Sequence, residues 1–249
     1  MNAHSTSAVP RALVIGGSTG VGSGIVTGLA SAGYEVHVLS RTRPKVAHTG
    51  WTGVDLNDFG RTQEALSGVT DDGISVLCFS AAVYGSSRKK LVDTPNAEWI
   101  SQVNVMMHSL WLALQTCIPS LLSAPPGLII GVSSEVVHNA GPGRSGYAAV
   151  KAAASAMLAS VRQEYNPADL RVVEVLPQGM VDSPGIRTRR AADFDYSGYA
   201  SPSAFEAVSE HLGLTRGSSD NGQALVVQPD GTWHTLASAQ SPPSQSRLL

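Results

Sequence analysis

Two side chains that can take part in proton chemistry stand four residues apart in the segment SGYAAVKAAA, residues 145–154. On a helix, Tyr147 and Lys151 share one face, and the residues around them are small. A phenol with an ordinary pKa of about 10 is a weak acid at neutral pH, and a nearby ammonium favours its phenolate. The pair can therefore move a proton to or from a substrate oxygen. The same spacing also occurs in ordinary surface pairs, so other residues must decide between the two.

A glycine-rich turn, VIGGSTGVGSG, connects a predicted buried strand to a predicted helix. Gly16, Gly20 and Gly22 allow a tight turn there and let the backbone approach a pyrophosphate at the helix N-terminus. Glycine is also the common turn residue, so the pattern alone is weak evidence. The strand before it and the helix after it strengthen the prediction of a dinucleotide site.

The second predicted strand ends in Ser40 and Arg41, where an NAD-binding protein usually carries an acid. No carboxylate repels a 2′-phosphate there, and Arg41, helped by Arg43 or Lys45, can donate charge-assisted hydrogen bonds to it. This favours NADP(H) over NAD, and the alternative is a solvated basic turn. Asp55, at the end of the third predicted strand, either caps the next turn or contacts the adenine.

The elements that position these residues alternate regularly along the chain. Short runs rich in Val, Ile and Leu are typical of strands buried on both faces of a parallel sheet, and helical patterns separate them. Such alternation implies right-handed βαβ units. We predict an α/β fold in a single domain over residues 11–236: a Rossmann-like, doubly wound parallel sheet of seven strands with helices on both faces. Residues 1–10 and 237–249 are expected to be disordered.

Composition narrows the class of protein. The chain has 249 residues, a formal net charge of -2 and no basic block, so no nucleic-acid surface is expected. Its apolar stretches are interrupted before they could span a bilayer, and its start lacks a signal-peptide layout. Cys78 and Cys117 are expected to be buried free thiols, with no metal site. We expect a soluble, cytoplasmic protein with no membrane partner.

These motifs, in this order, resemble the short-chain dehydrogenase/reductase family in its compact single-domain branch. The resemblance extends over residues 11–229 and rests on four features: GGSTGVG after the first strand, Asn104 in a long helix, GVSS at the fifth strand, and Y-x-x-x-K thirteen residues further on. Ser134 is preferred to Ser133 because it stands thirteen residues before Tyr147. The catalytic residues that the resemblance implies are Asn104, Ser134, Tyr147 and Lys151.

The resemblance also implies their roles. Tyr147 donates a proton to a carbonyl oxygen as nicotinamide C4 delivers hydride to the carbon. Lys151 lowers the pKa of that phenol and hydrogen-bonds the nicotinamide ribose. Ser134 holds the substrate oxygen, and Asn104 holds a water that links Lys151 to solvent.

The cofactor site implied by the resemblance spans several strand ends. Its residues are Gly16, Ser18, Thr19, Gly20, Val21, Gly22, Ser40, Arg41, Asp55, Leu56, Ser80, Ala81, Ala82, Tyr147, Lys151, Pro177, Gly179 and Val181.

Several positions differ from the usual family residues. Phe-Ser-Ala-Ala at 79–82 replaces the usual Asn-Asn-Ala-Gly, and Ile15 stands where a Thr often opens the turn. Many NADP-dependent members of the family have a basic residue where this chain has Thr19, so Arg41 must contribute more of the preference for NADP. Gln178 takes the usual glycine position after Pro177, unless Gly179 follows a one-residue insertion; in that alignment Val181 contacts the nicotinamide carboxamide.

The segment at about 182–215 lies where the family places its substrate lid. His138 either hydrogen-bonds a substrate or is an incidental loop histidine. Arg187, Arg189 and Arg190 either meet a carboxylate, a phosphate or an acidic carrier protein, or form a solvated loop face. The candidate substrate residues are Tyr84, His138, Phe194, Tyr196 and Tyr199.

The sequence therefore predicts an NADPH-dependent oxidoreductase that reduces a ketone or aldehyde, or runs the reverse reaction, on a small-molecule carbonyl or alcohol. Abundant arginine, alanine and glycine hint at a bacterial ketoreductase of specialised metabolism. A homodimer or homotetramer is expected by family analogy. The alternative is a catalytically silent NADP-binding protein with a regulatory or assembly role. The glycine spacing argues against an epimerase or dehydratase of the extended branch.

Overall fold

A computed structural model describes residues 9–85 and 87–236. The two termini that we expect to be disordered lie outside the described residues, except for residues 9 and 10. The strands are β1 (Arg11–Ile15), β2 (Glu35–Ser40), β3 (Gly50–Gly53), β4 (Val76–Phe79), β5 (Gly127–Val132), β6 (Leu170–Pro177), β7 (Ala224–Val227) and β8 (Trp233–Thr235). The helices are α1 (Gly20–Ser31), α2 (Phe59–Thr70), α3 (Asn96–Val103), α4 (Ser109–Leu122), α5 (Val136–Asn139), α6 (Ser145–Glu164), α7 (Pro184–Arg187) and α8 (Glu206–Thr215).

All strands lie in one sheet, in the order β3-β2-β1-β4-β5-β6-β7-β8. Strands β1 to β7 are parallel, as predicted. We predicted seven strands, whereas the described residues form eight, because β8 pairs antiparallel with β7. This last strand has three residues, too short for an alternating pattern, and it follows a tight turn in which the amide of Gln228 donates to the carbonyl of Thr232.

Both faces of the sheet are covered, as the runs of apolar residues predict. On β1, Leu13 and Ile15 contribute to one core with residues of α2, α4 and α6. Ala12 and Val14 point to the other face and pack with residues of α1 and α8. Cys78 and Cys117 are buried free thiols, and burial raises the pKa of Cys117 to about 12.

The long helix predicted before β5 is interrupted once. Between α3 and α4, the five residues Asn104–His108 form a π-helical turn, and Pro119 lies inside α4. In the described part of the chain, the continuous helix Asn96–Leu122 is the one segment long and apolar enough to span a bilayer by length and composition. Its residues Leu110, Leu114 and Cys117 lie in the core, so it packs as a core helix of this sheet.

The predicted lid at about 182–215 divides into two parts. The first contains α7 and an irregular loop. The second, α8, packs on α1 and belongs to the core, with Val208 and Leu212 fully buried. Only the first part is placed to cover a site at the sheet edge.

Candidate active site

A cavity of about 970 Å³ opens at the carboxyl ends of the strands. The strand order reverses between β1 and β4, and in doubly wound sheets ligands bind at such a switch point. The cavity extends from the glycine turn, past the ends of β2 and β3, to the start of α6. All the predicted cofactor residues line it except Gly22.

The glycine turn is shaped by a close backbone approach. Gly16 has φ +84°, and a Cβ there would lie 2.5 Å from the amide nitrogen of Ala81. Gly22 lies in the first turn of α1, where a Cβ would clash with the carbonyl oxygen of Gly16. Gly22 therefore serves the packing of the turn. Thr19 precedes α1 without a side-chain cap, which leaves the first N–H groups of this helix available to a phosphate.

The end of β2 presents the predicted phosphate-binding charge. Arg41 is exposed and lines the cavity, and no ion pair involves it among the described residues. Arg43 and Lys45 do not line the cavity. Asp55 lines it and also accepts two hydrogen bonds from Asn57 at 3.0 Å. These bonds lower the pKa of Asp55, and the charge of Arg41 adds to that shift.

The hydroxyl of Tyr147 lies in a small hydrogen-bonded group. It is hydrogen-bonded to Ser134 and to Tyr84, and the two tyrosine rings are 5.2 Å apart. Burial, then the neighbouring Tyr84, raises the pKa of Tyr147 well above its ordinary value, and the hydrogen bond to Ser134 opposes this. In this structure Tyr147 is therefore a protonated donor at neutral pH.

Lys151 follows one helical turn after Tyr147 and is 5% exposed. Its ammonium donates to the carbonyl oxygen of Val132 at 2.7 Å. Burial lowers the pKa of Lys151 to about 8, and the carboxylate of Glu174 opposes the shift. Burial raises the pKa of Tyr147, so in this structure that pKa moves in the direction opposite to the one that the family analogy implies.

Asn104 does not line the cavity. It begins the π-helical turn, and its carbonyl oxygen accepts hydrogen bonds from the backbone amide and the hydroxyl of Ser109, the latter at 2.8 Å. This carbonyl is thus occupied within the helix.

The predicted substrate residues separate into two groups. Tyr84 lines the cavity, whereas Phe194, Tyr196, Tyr199 and His138 do not. The three lid aromatics pack on one another, with ring centroids 4.9 to 5.6 Å apart. They therefore form a local aromatic cluster outside the cavity.

The far wall of the cavity contains polar residues that the sequence patterns did not single out. Gln102 on α3 and Arg144, just before α6, both line it. Gln102 is 3% exposed, and its Oε1 is buried without a hydrogen-bond partner in the described structure. A Cβ on Gly146 would lie 2.5 Å from that oxygen. Only the packing of α3 against α6 brings these residues to the site, so no local motif could reveal them.

The parallel sheet, the glycine turn and the cavity at the switch point define a Rossmann-type nucleotide-binding protein. The family profile described as short chain dehydrogenase matches residues 10–193. The chain belongs to the short-chain dehydrogenase/reductase family of oxidoreductases.

Individual relatives and structures agree with this assignment. Carbonyl reductase (NADPH) 2 of Sus scrofa is 30% identical over 183 residues, which are 70% of this chain and 73% of the relative. The 2-(R)-hydroxypropyl-CoM dehydrogenase of Xanthobacter autotrophicus is 28% identical over 188 residues, 70% of this chain and 75% of the relative. A short chain dehydrogenase from Burkholderia cenocepacia, solved in complex with NADP, superposes with a TM-score of 0.74 at 22% identity and covers 89% of this chain and 97% of its own.

Proposed function

We propose that the protein is an NADPH-dependent carbonyl reductase, or the reverse alcohol dehydrogenase, acting on a small molecule. The observation that carries the proposal is that the hydroxyl of Tyr147 lies beside Ser134 in the same cavity as the glycine turn. The short-chain dehydrogenase/reductase family uses nicotinamide cofactors. NADPH is favoured over NADH because Arg41 lines the cavity where a 2′-phosphate would lie.

The residues present fit such a cofactor. The uncapped start of α1 leaves backbone N–H groups available to a pyrophosphate, and Gly16 and Gly20 of the glycine turn line the cavity beside it. When bound, NADPH supplies a hydride from nicotinamide C4 to the carbonyl carbon.

The chain supplies the proton. Tyr147 donates its hydroxyl proton to the carbonyl oxygen as negative charge develops there, and the product is an alcohol. Ser134, already bonded to Tyr147, donates to the same oxygen and stabilises that charge. Lys151, a buried ammonium on the same helix, offsets the phenolate charge that remains on Tyr147.

We also propose that the protein is cytoplasmic and forms a homodimer or homotetramer. Trp99 and Ile100 on α3 and Trp111 on α4 are large apolar side chains that stay exposed in the single chain. Exposed apolar surface of this kind supports contact with a second copy.

The test is the oxidation of NADPH and of NADH with a panel of ketones and aldehydes, for the wild type and Tyr147→Phe. The substitution keeps the ring and removes the proton donor, so turnover should fall by about 100-fold or more. Tyr165→Phe is the matched control, because this tyrosine ends α6 away from the cavity. Equal turnover in Tyr147→Phe and the wild type would refute the proposed acid. Binding of NADPH without turnover of any carbonyl would favour the catalytically silent alternative.

A further inference from the structure

The three arginines of the loop after β6 are held in different ways. Arg187 is bonded to the carboxylate of Asp182, with Nε to Oδ1 at 2.7 Å. Arg190 donates from Nε and Nη2 to the hydroxyl of Tyr199 at 3.1 and 2.9 Å. Arg189 makes no side-chain hydrogen bond or ion pair within the described residues, and its Nε is buried without an acceptor.

The surroundings of Arg189 compensate its charge only in part. Burial and the neighbouring Arg190 lower its pKa, and Arg88 acts in the same direction. Tyr84 and Glu98 oppose this shift, but the Glu98 carboxylate lies 4.0 Å from the ammonium of Lys89. A partly buried cation with no carboxylate paired to it destabilises the folded state, because its charge is desolvated. A bound anion would reduce this destabilisation.

The other charged residues on this side of the cavity also favour an anion. Arg144 is paired with Glu135 at 3.4 Å, so this carboxylate is not available to Arg189. The cations that line this wall outnumber the two carboxylates. They are Arg88, Lys89, Arg144, Arg189 and Arg190, against Glu98 and Glu135.

Arg189 is also close to the reacting group. Its guanidinium lies over the ring of Tyr84, 5.5 Å from the centroid. The ring of Tyr84 is in turn 5.2 Å from that of Tyr147, and their hydroxyls are hydrogen-bonded. One aromatic ring therefore separates the guanidinium from the proton donor. A carbonyl held at Tyr147 would place a group a few bonds further along the substrate beside Arg189.

We propose that Arg189 binds an oxyanion of the substrate, so that the enzyme prefers carbonyl compounds that carry a carboxylate or a phosphate a few atoms from the carbonyl carbon. The inference rests on the proposed function and names its substrate class. A guanidinium suits both groups, because it can donate two parallel hydrogen bonds to either. Its place inside the cavity selects a small molecule over a carrier protein, which would meet the exposed Arg187 first.

The test compares each anionic substrate with a neutral partner of matched shape. The pairs are 4-oxopentanoate with its methyl ester, and dihydroxyacetone phosphate with dihydroxyacetone, so that the carboxylate and phosphate arms are read separately. In the wild type, the charged member of at least one pair should have the higher kcat/KM by about 10- to 100-fold, as one charge-assisted contact supports. Arg189→Gln should remove this preference and leave the neutral members within about 3-fold, and Arg189→Lys should retain part of it.

Arg187→Gln is the matched control, since it removes a charge from the same loop outside the cavity, and it should keep the wild-type preference. If Arg189→Gln slows the charged and the neutral members equally, the residue only positions Tyr84 and the inference is overturned. Equal kcat/KM for both members in the wild type overturns it as well, while the proposed function stands.

A binding measurement keeps the two proposals distinguishable. With NADP+ at saturation, calorimetric titration of pentanoate against pentanamide reports the anion site without turnover. Pentanoate should bind at least about 10-fold more tightly to the wild type than to Arg189→Gln, even if no carbonyl in the panel is reduced. Equal binding to the two proteins would overturn a carboxylate site at Arg189, and the dihydroxyacetone phosphate arm then decides for phosphate.

Discussion

The buried ammonium of Lys151 should make the stability of the protein depend on pH. Its pKa falls from 10.5 to about 8 in the fold because the side chain is buried. One pKa unit corresponds to about 1.4 kcal/mol, so holding this lysine protonated destabilises the folded state by about 3 kcal/mol at neutral pH. Replacing it in Lys151→Met removes the titration, and the unbranched side chain suits the same space.

The sign follows from proton binding. Between pH 8 and 10.5 the unfolded chain holds a proton on this lysine and the folded chain does not, so stability rises with pH. The penalty is fully present below the folded pKa and is gone above the unfolded one. From pH 7 to pH 9.5 the wild type should gain about 2 kcal/mol in the free energy of unfolding relative to Lys151→Met.

The measurement is urea unfolding of both proteins at several pH values from 7 to 9.5, without cofactor. Tyr147, whose pKa is raised, acts in the opposite sense only above about pH 10, which is outside the pH range of the measurement. The lost hydrogen bond to Val132 lowers the stability of Lys151→Met by an amount that does not vary with pH. If the two curves of free energy against pH run parallel, the lysine titrates normally and the account of its burial is wrong.

Two further substitutions test the cofactor end of the cavity. Arg41→Ser should weaken NADPH binding by about 10-fold or more and leave NADH binding nearly unchanged, because only the 2′-phosphate loses a charged donor; an equal loss for both cofactors, measured by fluorescence titration, would contradict this. Gly16→Ala should lower the free energy of unfolding by more than about 2 kcal/mol, since it combines a positive φ with a Cβ 2.5 Å from the backbone of Ala81. Gly33→Ala is its control, because Gly33 has φ +88° with no atom within 4 Å of a Cβ. This variant should lower the free energy of unfolding by about 1 to 2 kcal/mol. Similar losses in both variants would show that the contact with Ala81 does not matter.

The sheet and the placement of Tyr147 could be predicted because they depend on periodic local patterns. A run of apolar residues identifies a buried strand, and spacing by four places two side chains on one helix face. Tyr84 could be suggested only by its position after β4. Its hydrogen bond to Tyr147 depends on how a loop folds back over α6, which no local pattern encodes.

The predicted lid shows the same limit for residues that the sequence did suggest. From composition alone, Phe194, Tyr196 and Tyr199 are equal candidates for lining a pocket. Arg187 and Arg189 are likewise equal candidates for binding an anion. The structure distinguishes them through contacts made after folding: the aromatics face one another, and Arg187 meets Asp182. Arg189, which makes no side-chain hydrogen bond or ion pair among the described residues, lines the cavity together with Arg190, whereas Arg187 does not.

The strand end at 79–82 explains how this chain departs from the usual family residues without losing the glycine turn. The amide of Ser80 donates to the carbonyl of Ile15 at 2.8 Å, and the amide of Gly16 donates to Leu39 at 2.8 Å. Backbone hydrogen bonds thus join the ends of β4, β1 and β2. The close approach of Ala81 to Gly16 requires a glycine at position 16, and the atoms that a Cβ there would meet belong to the backbone of Ser80 and Ala81. Serine and alanine are therefore compatible with this turn in place of Asn-Ala-Gly, because the contacts that join the strand ends are made by backbone atoms.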